Sequence, residues 1–139
     1  MPMRINHLAV WVAAIVYWVL GAVWYGFLFG NAWISLIGKV PPPASAVTYI
    51  ASFLLGLVLA YATAVALSRR PEDLTLQQGV SFALFMGIAL FATQTLSQFL
   101  YEGRPFGLWL IDTGYVVIGF AIIGAIVGAW RPRTAAATP

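Results

Sequence analysis

Four acidic residues, one histidine and no cysteine leave few groups among these 139 residues that can do chemistry. The informative ones lie in the second half. Gln94, Gln98 and Glu102 recur every four residues, so on a helix they form one stripe. Asp112 follows within an apolar stretch, with Arg104 between it and Glu102. An acid beside two amides can hold a polar ligand or a proton, or tie two helices together. Without cysteine there is no thiolate nucleophile, disulfide or Cys-based zinc site. No Ser-His-Asp set, glycine-rich phosphate loop or metal-ligand spacing is present. No metal or cofactor is implied, and enzymatic activity is not expected.

Composition determines which elements carry these residues. Apolar residues make up 62% and charged residues 8%, whereas soluble domains are roughly a quarter charged. A soluble enzyme and a disordered chain are both excluded. Residues 5–38, 40–68, 74–101 and 113–130 carry no formal charge. About 20 apolar residues cross a hydrocarbon core of roughly 30 Å as a helix, because lipid cannot satisfy backbone polar groups. The pattern predicts an all-α integral membrane protein, a bundle of four transmembrane helices. The spans are expected at 7–29, 46–68, 79–101 and 106–130, in a single domain over 1–131. Residues 132–139 are expected to be a short disordered tail. Pro41-Pro42-Pro43, Arg69-Arg70-Pro71-Glu72-Asp73 and Gly103-Arg104-Pro105 separate the spans. The first span is too long and too aromatic for a cleaved signal peptide.

The net charge is +3, but the seven Lys and Arg form no basic stripe, so nucleic acid is not an expected partner. Four spans place Arg4, Arg69, Arg70, Arg131 and Arg133 on one side, and Lys39 and Arg104 on the other. The excess of positive charge predicts both termini in the cytoplasm. Asp112 then lies about 9 Å below the outer interface, Gln98 about 6 Å and Gln94 about 12 Å, at the rise of an α-helix. These three are expected to face one another in a polar cavity open to the outside, with Glu102 and Arg104 at its mouth and Tyr115 nearby.

An aspartate at the centre of a membrane helix costs about 2.5 to 3.5 kcal/mol, less toward the interface. It persists only if paired, hydrogen-bonded, hydrated or protonated. Three roles are open to Asp112: the acid of a ligand or transport cavity, a lock bonding the span-three amides, or a cap on a later-starting helix.

Trp24, Tyr25, Trp33, Tyr101, Trp109 and Tyr115 gather at the same end. They make either an interfacial aromatic belt or a π-lined pocket for a cationic or aromatic ligand. Trp11, Tyr17, Trp18 and Tyr61 lie off such a belt, and the Tyr61 hydroxyl needs a partner. His7 begins span one, across the membrane from Asp112, so the two form no relay. Ser52, Gly56, Ala60, Ala64 and Ser68 on span two, with Gly124 and Gly128 on span four, are small-residue faces. They pack within the bundle or between copies of a homo-oligomer.

The element Trp24-Tyr25-Gly26-Phe27-Leu28-Phe29-Gly30-Asn31-Ala32-Trp33 resembles a hallmark of the bacterial membrane proteins grouped as domain of unknown function 1761. Gly103-Arg104-Pro105, then Leu108-Trp109-Leu110-Ile111-Asp112-Thr113-Gly114-Tyr115 and Gly124-Ala125-Ile126-Val127-Gly128, extend the resemblance over nearly the whole chain. It implies a small multi-pass protein of the bacterial plasma membrane and transfers no activity. It singles out Trp24, Tyr25, Gly30, Trp33, Asp112, Gly114 and Tyr115. One departure is Phe27, where such proteins commonly carry a proline after the Trp-Tyr pair, so no helix break is implied there. Small multidrug resistance transporters have a similar size, but they place their key acid in span one, which has none here. The expected function is transport-type or small-ligand-binding. The rival is a structural subunit that binds another membrane protein.

Overall fold

The computed structural model describes residues 4–71 and 74–132. Residues 133–139, which hold Arg133 and nearly all of the expected tail, lie outside the described residues. The described residues form helices and connecting turns, with no strand among them. Helix α1 (His7–Val23) starts where the Asn6 side chain accepts the Ala9 N–H at 3.2 Å, and it runs into a wider π-helical turn, Trp24–Leu28. A short helix, α2 (Gly30–Ile37), follows and ends at Gly38, whose φ of 77° only glycine adopts readily. Ser45 caps α3 (Ala46–Ser68) just after the proline run.

Helix α4 (Leu76–Met86) opens on a reciprocal cap between Thr75 and Gln78, three residues ahead of Gly79. It passes through a second π-helical stretch, Gly87–Ala92, into α5 (Thr93–Glu102). Gly103, at φ 65°, ends α5, and Pro105 leads into α6 (Phe106–Ala129). Among the described residues, four helices are long and apolar enough to cross a membrane: His7–Leu28, Ala46–Ser68, Leu76–Glu102 and Phe106–Ala129.

Helix α6 is the centre of the assembly and packs on α1, α3 and α4. Small residues set these approaches. The Tyr17 ring lies against Gly56 of α3 on one side and Gly119 of α6 on the other, where a β-carbon would overlap it. Gly124 faces Ala83 and the Gly79 carbonyl of α4 just as closely, and Leu67 passes beside Gly128. Gly56, Ala60, Ala64 and Gly124 are buried inside one chain. Ser52 is not. It is exposed, like every residue of α3 before it, and accepts the Trp18 indole N–H at 3.1 Å.

The end carrying the N-terminus is fastened by polar contacts. Asn6 donates to the Trp130 carbonyl at 3.0 Å, and Arg131 donates to the Pro71 and Arg70 carbonyls at 3.0 and 2.9 Å. His7 lies 2.9 Å from the Tyr61 hydroxyl, the partner that this tyrosine required.

Candidate functional site

The site is built on the first π-helical turn. The Phe29 N–H donates to the Trp24 carbonyl at 2.8 Å, closing a turn one residue wider than an α-turn. The widened turn lets two adjacent side chains, Trp24 and Tyr25, both reach α6. The Trp24 indole donates to the Ile111 carbonyl at 3.0 Å, and the Tyr25 hydroxyl donates to Asp112 Oδ1 at 2.9 Å. The chain then turns sharply at Gly30, where any β-carbon would run into the Tyr25 carbonyl. That turn carries α2 back, so the Trp33 indole also donates to Asp112 Oδ1, at 3.0 Å. The first helix thus breaks after the Trp-Tyr pair without a proline.

Asp112 is half-buried, and no Lys or Arg pairs with it among the described residues. A phenol and an indole replace water as its hydrogen-bond donors, which is how a membrane helix keeps an acid without a basic partner. Tyr115, one turn further along α6, stacks on Tyr17 with centroids 4.8 Å apart and meets the Tyr25 ring edge-on at 5.4 Å. Its hydroxyl donates to the Tyr17 carbonyl at 3.2 Å.

A cavity of about 510 Å³ opens between α1 and the start of α3. Trp18, Tyr25, Tyr49 and Tyr115 form its aromatic walls, with Ser52 as a polar contact. Asp112 stands behind Tyr25 rather than in the lining, so it is joined to the cavity through the tyrosine hydroxyl. A second, mainly apolar groove of about 540 Å³ runs between α3 and the third span and meets the first at Ser52 and Tyr115.

The expected cluster of Asp112 with Gln94 and Gln98 does not form. Both glutamines are exposed on α5, and Gln98 instead donates to Glu102 on its own helix at 2.8 Å. The reading of Asp112 as a lock on those amides is overturned with it: the lock is real, but it holds the end of span one and α2. The Asp112 backbone lies within α6, so the capping role is excluded too. Glu102 and Arg104 pair at 3.7 Å on the surface and line neither cavity, so they guard no mouth. Arg104 rests over the Phe99 ring, 4.0 Å from its centroid.

Trp109 belongs to a different contact. Its indole donates to Thr95 Oγ1 at 3.1 Å, while that hydroxyl donates to the Phe91 carbonyl at 2.9 Å. Thr93 likewise covers the Ala89 carbonyl. These threonines satisfy carbonyls in the second π-helical stretch, where the regular ladder is interrupted inside lipid. Thr113, beside Asp112, has a buried hydroxyl with no partner among the described residues.

The residues that sequence reasoning kept out of the site are Tyr17, Trp18, Tyr49 and Ser52. The signal for two was present: Tyr17 and Trp18 lie too deep for an interfacial belt. Ser52 fitted a small-residue repeat and was read as packing, and Tyr49 stood out by neither type nor spacing.

The chain matches, over residues 8–128, the family described as protein of unknown function (DUF1761), and it belongs to that family. No curated protein and no solved structure matches it.

Proposed function

We propose that this member of the DUF1761 family is a transport-type, small-ligand-binding protein of the bacterial plasma membrane, and that its ligand is a small organic cation. The observation behind this reading is Asp112: a carboxylate with no basic partner among the described residues, joined through Tyr25 to an aromatic-walled cavity. Electron-rich ring faces attract a cation that has left water, at about 0.5 to 2 kcal/mol per ring. The carboxylate polarises the Tyr25 hydroxyl and supplies the compensating charge. The role is binding, without catalysis.

The orientation follows the charges. Arg4, Arg69, Arg70 and Arg131 lie at one end, and Lys39 and Arg104 at the other. Both termini are then cytoplasmic, and the aromatic cavity opens toward the outer face.

Binding of tetramethylammonium to the purified protein, followed by tryptophan fluorescence, tests this reading. Binding should weaken at least about tenfold in both Asp112→Asn and Tyr25→Phe, the loss of one charge-assisted contact. If tetramethylammonium and longer alkylammonium ions all fail to bind, or bind Asp112→Asn as well as wild type, the proposal is wrong.

A second reading rests on the same oxygen. Asp112 Oδ1 accepts both Tyr25 and Trp33, so the acid also clamps α2 against α6. If that is its whole role, the protein is a structural membrane subunit. Asp112→Asn, which still accepts both bonds, would then leave every property unchanged.

A further inference from the structure

The second π-helical stretch has a consequence on the outside of the molecule. α4 packs along α6 through Gly79 and Ala83, but beyond Gly87–Ala92 the helix keeps only a narrow contact, through Phe99 and through the Trp109–Thr95 bond. The rest of α5 faces outward. Leu90, Gln94, Ser97, Gln98 and Tyr101 follow one helical face, and all five are exposed. Tyr101 is 93% exposed.

This exposure is at odds with lipid. Gln94 stands two turns from the end of the span that closes at Glu102, about 12 Å along the helix. That is too deep for a short amide side chain to reach the headgroups. Gln94 and Ser97 make no side-chain hydrogen bond among the described residues, and Gln98 uses one N–H on Glu102. In the hydrocarbon region such groups hold helices together, because lipid offers no partner.

We propose that this face of α5 is where a second copy of the chain docks, side by side in the membrane. A primary amide both donates and accepts, so it complements itself. Two copies inserted in the same orientation place Gln94 against Gln94, and Gln98 against Gln98, at equal depth about a two-fold axis along the membrane normal. Ser97 between them leaves room for the backbones to approach. Glu102 and Arg104 neutralise each other within each chain, so the outer end of the face brings no like charge to the axis. The small-residue faces, open to packing within the bundle or between copies, are used inside the monomer, Ser52 apart, where Gly56 meets Tyr17, Gly124 meets Ala83 and Gly128 meets Leu67.

The chain has no cysteine, which makes the test direct. Ser97→Cys, Gln94→Cys and Val19→Cys are each reconstituted alone in phosphatidylcholine vesicles and oxidised. Val19 is exposed on α1 at a similar depth and serves as the control. The docking face predicts disulfide-linked dimers for positions 94 and 97 that persist when lipid is added in excess, and none for position 19. Replacing both glutamines by leucine in the Ser97→Cys chain should lower cross-linking roughly tenfold, the scale of one or two interhelical hydrogen bonds. Equal cross-linking at position 19 would overturn the proposal, as would monomers at every lipid ratio. So would native membranes in which Ser97→Cys links only to a protein of different mass.

Discussion

At the scale of single residues, removal of the Asp112 side chain leaves two others stranded. Asp112→Leu deprives both the Tyr25 hydroxyl and the Trp33 indole of their acceptor, in a region where water is scarce. Each lost partner should destabilise by about 1 to 3 kcal/mol, whereas Asp112→Asn should stay within about 1 kcal/mol of wild type. Thermal unfolding in detergent separates the two variants, and equal melting temperatures would contradict the clamp. Gly119 is as exacting for a different reason. A methyl group there enters the Tyr17 ring, which is held from behind by Gly56 and Tyr115. Gly119→Ala should destabilise by about 1 to 3 kcal/mol, since an overpacked site cannot yield on one side only. The same unfolding assay checks it.

At the scale of elements, two π-helical turns govern what the first and third spans can reach. The first presents Trp24 and Tyr25 to α6 together and, with Gly30, sends α2 back over the start of that helix, where Leu36 meets Gly107. Gly30→Ala places its methyl against a backbone carbonyl, which cannot swing aside as a side chain would. The turn should reopen and Trp33 should leave Asp112. Faster amide exchange through Gly30–Ile37, with little change in α3, is the expected signature. The second π turn depends on hydroxyls. Thr95→Val removes the acceptor of the Trp109 indole and uncovers the Phe91 carbonyl, so α5 should separate further from α6. A loss of about 1 kcal/mol and a red-shifted tryptophan emission would report this; an unchanged emission spectrum would not fit.

At the scale of the whole molecule, α6 organises the other spans, with the aromatic cavity toward one end and a set of polar contacts at the opposite one. That opposite end is closed by Asn6, Arg131 and the His7–Tyr61 pair. The proposed orientation predicts which end meets the cytoplasm. In right-side-out vesicles, Lys39→Cys should react with a membrane-impermeant maleimide, and Arg69→Cys only after permeabilisation. The reverse pattern would invert the assignment and turn the cavity inward.

Much of the architecture was legible in the sequence, because in lipid the backbone must satisfy its own hydrogen bonds and long uncharged stretches therefore have to be helices. The four spans, the turn at Gly103 and the prominence of Asp112 follow from that constraint and from which residues are rare in it, while the family resemblance singled out Tyr25 and Trp33. Helical spacing also drew Gln94 and Gln98 into one stripe. Spacing describes a regular helix, however, and does not say which way a stripe faces. Two turns widened by one residue, with no proline to announce them, rotated the ends of the first and third spans. Tertiary packing alone therefore gave Asp112 its aromatic partners and left the glutamines outside. The same packing used the small residues within one chain. A periodic pattern specifies that a face exists, but only the contacts made around α6 decide what covers it.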